Sequence, residues 1–304
     1  MKPDDSSLDP DCQQDVRDQA DRLLRQAGAY GRFPTPIDDL ISAARLQLDS
    51  EASLDESFLK KIYRSASSTI RRAVGKVLGL FDSRAHAIYI DQTVHEKKKP
   101  FLLLHETGHG FMKWQRDLYA FMEDGQSELD PDVQDEFERQ SNFFASTVLF
   151  QCETFMIQAR DMPLCLDTPK GLSKHYGASL YSSIRQFVST HDKSCVVLVM
   201  EKPVWKPGDG YVFALRRAVC SQAFTKQYGN VKWQHYYSPK NFSPDALPVV
   251  NGRPRKVLSP RLVRLSVLGT GHEENFVAEA YNFSNQVFLL LYPESELSSR
   301  NILT

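Results

Sequence analysis

The sequence feature that most constrains this chain is the pentapeptide His105-Glu-Thr-Gly-His109, which matches the pattern H-E-x-x-H. Side chains four apart on an α-helix point to the same side, separated by a rise of roughly 6 Å. Two imidazoles placed in this way can bind one zinc ion at about 2.0–2.1 Å. The apolar run Phe101–Leu104, with Pro100 suited to a first helical turn, predicts a helix from Phe101 to about Arg116.

Glu106 lies beside the two histidines, where a carboxylate can take a proton from an attacking water and pass it to a leaving amine. The pattern also occurs by chance, in which case its side chains are simply packed or solvated. Polar histidines and a glutamate on so apolar a helix favour the metal hypothesis. Gly108 and Gly110 would let another element approach this helix closely.

A catalytic zinc needs a third protein ligand, with water in the open position. A second helix is predicted from about Val133 to Phe155, and one stripe of it carries Glu138, Asn142, Ala145 and Leu149. Glu138 is our choice of third ligand, and the small Ala145 would allow close helix packing. Spacing alone leaves open the neighbouring carboxylates Asp135, Glu136 and Glu153.

The N-terminal part of the chain is predicted to be mainly helical, with a small β-sheet. Residues 1–11 are charged and are predicted to be disordered. A hairpin is predicted from Val74–Phe81 and Ala87–Ile90, and Ala87–Asp91 is interpreted as an exposed edge that pairs with substrate. Further helices are predicted over Gln13–Ala27, Ile37–Leu46 and Asp55–Ala73, and two short helices around Gly177.

Beyond Cys195 the pattern becomes β-rich, with turn signals such as Pro207-Gly-Asp-Gly210. The fold class is therefore predicted to be α+β, with a zincin-like peptidase domain at 12–165, a helix-turn-helix-like segment at 166–192 and a β-rich domain at 193–304. Strands are predicted at Cys195–Met200, Tyr211–Val219, Lys232–Tyr237, Leu262–Leu268, Phe276–Tyr281 and Gln286–Tyr292.

Composition narrows the class of protein. With 41% hydrophobic and 25% charged residues the chain resembles soluble globular proteins, and its net charge of -1 gives no bulk attraction to nucleic acid or membranes. No apolar stretch approaches the roughly 18 residues of a membrane span, and the N-terminus lacks signal-peptide features. Five cysteines without metal-type spacing indicate reduced thiols in a cytoplasmic protein.

Three motifs in order resemble the ImmA/IrrE-type metallopeptidases: Ala87-Ile-Tyr-Ile-Asp91, Pro100-Phe-Leu-Leu-Leu-His-Glu-Thr-Gly-His109 and Glu138-Arg-Gln-Ser-Asn-Phe-Phe-Ala145. The resemblance covers about residues 30–190. It implies that Glu138 binds Zn²⁺, or another divalent metal such as manganese or iron, together with His105 and His109. One departure is the run Leu149-Phe-Gln-Cys152 in place of a Leu-Met-Pro-like end, which leaves the end of this helix open.

The resemblance also implies a function. Members of this family typically cut a helix-turn-helix transcriptional repressor, which relieves repression of a stress regulon or a mobile element. Some, like the radiation-response regulator of deinococci, continue into a C-terminal GAF-like sensor domain, and the β-rich tail resembles that layout. We therefore expect a cytoplasmic zinc endopeptidase whose partners are a repressor protein and a small ligand at the C-terminal domain.

The oxyanion-stabilising group is less defined. The stretch Ser179–Arg185 resembles a segment in which many relatives carry an arginine, so Arg185, or Tyr181 one turn earlier, is a candidate, with surface packing as the alternative. Residues 172–190 could also form a DNA-reading helix-turn-helix, but its second helix carries only Arg185 as a strong contact residue, so a structural helical hairpin is favoured and direct DNA binding is not expected.

A second hypothesis is a ligand-sensing antirepressor that acts by binding without proteolysis; the intact His105, Glu106 and His109 argue against such a dead site. The aromatic residues of the tail have two readings as well. Trp205, Trp233, Tyr236 and Tyr237 either line a ligand pocket or pack in the β-core.

Overall fold

The computed structural model describes residues 8–49, 54, 78–124, 130–151, 153–243, 246–247, 260–266, 273–283 and 286–297. These residues form a mixed α+β protein, as predicted. Two compact units are present: an N-terminal unit of residues 5–154 and 174–179, and a C-terminal unit of residues 155–173 and 180–304. The predicted domain limits at residues 12–165, 166–192 and 193–304 stay a prediction.

The N-terminal unit begins with helix α1, Pro10–Gln26, which starts three residues before the predicted Gln13. The Asp9 carboxylate accepts a hydrogen bond from the Asp11 N–H at 2.9 Å, and Pro10 takes the first helical position. Both features are favourable at a helix N-terminus, and together they explain the earlier start. Helix α2 follows at Ile37–Ala43.

A three-stranded sheet of β1 (Gln47–Asp49), β2 (Gly79–Asp82) and β3 (Ala87–Ile90) has the order β1-β3-β2. The predicted hairpin is confirmed over its described part, since β2 and β3 are antiparallel with Asp82 opposite Ala87. The prediction that Ala87–Asp91 forms an edge is wrong, because the short β1, which the sequence pattern does not reveal, pairs with β3 in parallel. Among the described strands, β2 is an edge. The predicted helix Asp55–Ala73 lies outside the described residues.

Three helices pack against this sheet or against one another: α3 (Lys99–Phe111), α4 (Lys113–Asp124) and α5 (Pro131–Leu149). The single helix predicted up to Arg116 is interrupted at Met112, whose ψ of 108° is extended. Glycine lowers helix stability, and Gly108 and Gly110 precede the break. Gly108 has the predicted packing role, because a Cβ there would lie 3.0 Å from the Phe144 Cδ1 on α5.

Helix α5 ends at Leu149 and not at the predicted Phe155, because of Gln151. This residue has a positive φ of 51°, and its buried side chain is bound to the loop after α1. The Gln151 side-chain oxygen accepts from the Gly31 N–H at 2.8 Å, and its Nε2 donates to the carbonyls of Ala29 and Arg32. The next helix, α6, occupies Glu153–Arg160.

Helices α7 (Asp167–His175) and α8 (Leu180–Ser189) flank Gly177 as predicted. The strands of the C-terminal unit are β4 (Val196–Glu201), β5 (Val204–Lys206), β6 (Gly210–Cys220), β7 (Tyr236–Tyr237), β8 (Arg261–Ser266), β9 (Glu273–Phe283) and β10 (Gln286–Pro293). They form a seven-stranded sheet of order β5-β6-β4-β10-β9-β8, with β7 paired to β6. Helix α9, Gln222–Tyr228, was not expected from the sequence; Ser221 caps it by accepting from the Phe224 N–H.

The core of this unit is formed by alternate side chains of the central strands, including Leu198 of β4 and Val287, Leu289 and Leu291 of β10. Such burial of aliphatic side chains is the main stabilising contribution to a sheet of this kind. None of the helices among the described residues combines the length and apolar character that crossing a membrane requires.

Candidate metal centre

Three side chains from two helices converge in the N-terminal unit. His105 and His109 lie on α3, and Glu138 lies on the first half of α5. The two Nε2 atoms are 3.1 Å apart, and the Glu138 carboxylate oxygens lie 3.4 Å from Nε2 of His105 and 3.6 Å from Nε2 of His109. Tetrahedral ligands at about 2.0–2.1 Å from zinc are separated by about 3.3–3.4 Å, so these spacings suit one metal ion.

Hydrogen bonds on the far side of each ring determine which nitrogen faces the site. His105 Nδ1 is 3.1 Å from the Asn142 Oδ1, and His109 Nδ1 is 2.7 Å from the Gln115 Oε1. Because amide oxygens only accept, both Nδ1 atoms carry the proton of a neutral ring. Each Nε2 then directs a lone pair at the other and at a carboxylate. These three electron-rich groups, the two Nε2 atoms and the carboxylate of Glu138, repel one another unless a cation lies between them. They therefore fit a divalent metal.

The pKa values of the two histidines indicate that the site favours one positive charge, which either a proton on His105 or a bound cation can supply. Burial disfavours the charged form of His105, but its hydrogen bond to Glu138 and the charge of Glu106 outweigh burial and raise the pKa of His105 to about 9. Burial and the charge of His105 lower the pKa of His109 to about 4. A single positive charge is thus stabilised by the two carboxylates. The side chains of His105 and His109 are only 10% and 6% exposed, against 48% for Glu138, which leaves one side accessible to a water or a substrate.

Gln115 is fixed in the orientation that His109 requires. Its Nε2 donates to the Phe137 carbonyl at 3.2 Å and to the Gln140 Oε1 at 2.8 Å, and Ser141 Oγ donates to the Gln115 Oε1. The sequence does not identify Gln115, because its contact with His109 depends on the interruption of the helix at Met112. No pattern in the sequence distinguishes Gln115 from a solvated glutamine.

We expect Gln115→Ala to weaken metal binding about 10- to 100-fold, the usual effect of removing a hydrogen-bond partner of a metal-bound histidine. Without the Gln115 acceptor, the His109 Nδ1 keeps only its longer contact with the Ser141 Oγ, at 3.1 Å, so the tautomer and the orientation of the ring are held less firmly. Competition with a chromophoric chelator measures the affinity. Gln14→Ala, which removes an exposed glutamine of α1, is the matched control, and equal metal affinity in the two variants would contradict the role of Gln115.

Glu106 lies next to the cluster and is buried, with 6% exposure. Its carboxylate accepts a hydrogen bond from the backbone N–H of Phe81 on β2. Burial, with the negative charge of Glu138, raises the pKa of Glu106 to about 7, although the charge of His105 and the Phe81 hydrogen bond act in the opposite direction. A carboxylate of this pKa is well suited to accept and return a proton near neutral pH.

Gly79 and Tyr119 are two further residues of the site that no sequence pattern identifies. A Cβ on Gly79 would lie 2.8 Å from the Glu106 Oε1, so the absence of a side chain makes room for that carboxylate. The Tyr119 ring lies edge-on to the His109 ring, with the centroids 5.5 Å apart. Burial, then the charges of Glu138 and Glu106, raises the pKa of Tyr119, which keeps its hydroxyl protonated as a donor.

The remaining candidates from the sequence have other surroundings. Asp135, Glu136 and Glu153 are not members of the cluster, and Glu136 instead accepts a hydrogen bond from Gln140. Tyr181 and Arg185 belong to the C-terminal unit, where the Tyr181 ring contacts Phe288 and the Arg185 guanidinium lies 5.5 Å from the Tyr181 ring centroid. Their catalytic role stays a prediction.

A helix with H-E-x-x-H and a second helix with a facing carboxylate are the hallmark of a class of metallopeptidases. Residues 71–182 of this chain match the family model of the IrrE N-terminal-like domain, Peptidase_M78. This match confirms the resemblance to the ImmA/IrrE-type metallopeptidases that the three motifs indicate.

A solved structure extends the similarity over most of the chain. A Mycobacterium tuberculosis transcriptional regulator is 11% identical, with a TM-score of 0.55 over 92% of this chain and 76% of that one. At this identity the similarity concerns the fold alone. Among proteins of curated function, none matches this chain.

Proposed function

We propose that this chain is a cytoplasmic, zinc-dependent endopeptidase that cleaves a helix-turn-helix transcriptional repressor and so derepresses a stress or mobile-element regulon. The observation that carries the peptidase part is the convergence of His105, His109 and Glu138, with donor atoms 3.1–3.6 Å apart, beside the buried Glu106. The IrrE N-terminal-like match supports a protein substrate. The repressor is the substrate class that the family resemblance implies.

In the proposed mechanism, His105, His109 and Glu138 would hold the metal, and Glu106 moves the proton. A bound zinc ion supplies Lewis acidity to a water and to the scissile carbonyl. Glu106 accepts a proton from the attacking water and delivers it to the leaving amine. The Phe81 N–H orients the Glu106 carboxylate for both transfers.

The substrate is proposed to bind along β2 rather than along β3. Next to the β2–β3 pair, the Leu78 carbonyl accepts a hydrogen bond from the Asp91 N–H, which follows β3. The Phe81 N–H instead donates to Glu106. The backbone groups of Gly79 and Phe81 therefore face away from β3, toward the site. Glu106 occupies the Phe81 N–H. An extended peptide that pairs with the other backbone groups of this edge would lie beside Glu106.

Gly79→Ala is expected to reduce kcat by roughly 10- to 100-fold while the metal is retained, because small displacements of a catalytic group cost rates of this order. The new Cβ would lie 2.8 Å from Oε1 of Glu106 and 3.1 Å from the side chains of Ile90 and Leu102. Peptide-cleavage kinetics and metal analysis of the purified variant measure both effects. The control is Gly171→Ala, where a Cβ meets no atom within 4 Å; an unchanged kcat for Gly79→Ala would show that Glu106 tolerates the displacement.

We propose Tyr119 as a third candidate, in addition to Tyr181 and Arg185, for the donor to the developing oxyanion. Tyr119→Phe, Tyr181→Phe and Arg185→Lys each remove or reshape one donor and keep most of the packing. The variant that removes the true donor should lose about 100- to 1,000-fold in kcat with little change in KM, the usual effect of an oxyanion donor. Steady-state kinetics at matched metal content compares the three variants. If all three were fully active, other groups would have to stabilise the oxyanion.

The proposed function is tested by incubating the zinc-loaded chain with the repressor encoded beside it. We expect a fragment of the repressor that is absent after chelation and absent with Glu106→Gln. Release of the repressor from its operator in stoichiometric amounts, with no fragment, would instead establish the antirepressor that acts by binding. An intact repressor still bound to its operator would exclude that protein as the partner.

For the C-terminal unit, we propose a GAF-like sensor domain at residues 193–304 that takes a small ligand. The seven-stranded sheet and an aromatic cavity beside it support this assignment.

A further inference from the structure

The C-terminal unit contains a cavity of about 510 Å³ between its sheet and the α9 region. This volume lies in the range of small-molecule sites. Its deep wall is apolar and buried, with Val196 of β4, Phe276 of β9 and Leu291 of β10. Aromatic rings make up much of the remaining wall: Phe224, Tyr228, Trp233, Tyr237 and Phe242.

These rings line the cavity and also pack against one another. Phe224 contacts Tyr228 at 4.7 Å and stacks with Trp233 at 6.2 Å, and Tyr237 meets Phe242 edge-on at 5.0 Å. Such pairs hold ring faces and edges in fixed orientations. A wall of this kind is complementary to a flat, rigid ligand, whereas a flexible chain would lose more conformational entropy on entering it.

The two charged groups among the described lining residues, Lys240 and Arg264, already have partners. Lys240 pairs with Asp209 at 2.8 Å and Arg264 pairs with Glu273 at 2.9 Å, and all four side chains are largely exposed. Neither cation is therefore held in a buried, unpaired state in which it would favour an anionic ligand.

The tyrosine hydroxyls of the wall are also engaged. Tyr228 donates to the Glu274 carboxylate at 2.9 Å, and Tyr237 accepts from the Gln234 N–H at 3.2 Å. Among the described lining residues, the side chains of Gln234 and Ser243 add neutral hydrogen-bonding groups. The wall thus offers aromatic surface and a few neutral polar atoms.

From this combination we propose that the cavity binds a neutral, planar aromatic molecule with one hydrogen-bonding substituent. The proposal deepens the sensor role proposed for this unit. Binding itself does not depend on the metal centre, which belongs to the other unit. Failure of repressor cleavage and failure of ligand binding are therefore separate results.

Binding is tested on the full chain with three probes of similar size: 2-naphthol, naphthalene-2-carboxylate and 1-decanol. Calorimetry should show one molecule of 2-naphthol bound per chain, with affinity at least about tenfold higher than for the carboxylate or the alcohol. Tighter binding of the carboxylate would indicate an anion site, and tighter binding of decanol would indicate a site for an acyl chain. If no probe bound, the cavity would not take ligands of this class. Each of these three results would overturn the proposal.

The location is tested by filling the cavity. Val231 lines it, and Val204 is an exposed residue of β5 that does not. Val231→Trp should weaken 2-naphthol binding at least about tenfold, and Val204→Trp should leave it unchanged. Phe242→Leu, which removes one ring from the wall, provides a second variant if Val231→Trp does not fold. Unchanged affinity in a folded cavity variant would show that the probe binds elsewhere.

Discussion

Replacing Glu106 with glutamine is expected to lower the rate of peptide-bond cleavage about 100- to 10,000-fold, the range that a positioned general base contributes. Glutamine preserves the shape of the side chain but cannot accept the proton of the attacking water. Because Glu106 is adjacent to the donor atoms without being one of them, metal content should be retained.

This result is measured as single-turnover cleavage of the repressor, with metal content determined on the same sample. Glu96→Gln is the matched control, since Glu96 is an exposed glutamate whose ion pair with Lys99 lies at the start of the same helix. The pair of variants separates loss of chemistry from loss of metal. Cleavage at the unaltered rate by metal-loaded Glu106→Gln would eliminate Glu106 as the base.

The second large effect is expected for Glu138→Gln, which removes the negative ligand from the proposed site. We expect metal affinity to fall by more than the 10- to 100-fold typical of removing an outer hydrogen-bond partner, and bound metal to be lost on dialysis. A metal that binds only the folded chain also stabilises it. A chelator should therefore lower the Tm of the unaltered protein but have little effect on the Tm of Glu138→Gln.

Asp135→Asn is the control for this variant, because Asp135 is another carboxylate of α5, outside the cluster. It should retain the metal and the Tm response to chelator. If Glu138→Gln kept stoichiometric metal at the affinity of the unaltered protein, the carboxylate ligand would have to be sought elsewhere. Asp135 and Glu136, which spacing leaves open, would then be the next residues to exchange.

Local geometry explains which parts of the site were predictable. His105, Glu106 and His109 share one helix, and the four-residue separation determines their relative positions before any packing occurs. Glu138 was identified by its position on a helical stripe and by the family resemblance. The hairpin of β2 and β3 is also a local feature, because its strands are joined by a short turn in which Asp82 accepts from the Arg84 and Ala85 N–H groups.

The residues that escaped prediction depend on contacts between distant segments. Gln151 ends α5 because its amide binds the loop at residues 29–32, more than 100 positions earlier in the chain. The edge of the small sheet depends on a parallel pairing between β1 and β3, whose segments lie about 40 residues apart. Hydrophobic periodicity carries no information about such pairings.

The sequence by itself determined the helix that carries His105 and His109, the position of the candidate base Glu106 and the change from helical to β-rich pattern, since these follow from residue spacing within single elements. Tertiary structure alone decided that Gln115 holds the His109 tautomer, that Gly79 makes room for Glu106 and that the tail encloses an aromatic cavity. The physical reason is that hydrogen-bond partners, close approaches and cavities are properties of segments brought together by packing. The energies of these contacts depend on distances between atoms of different segments, which residue spacing along the chain does not determine.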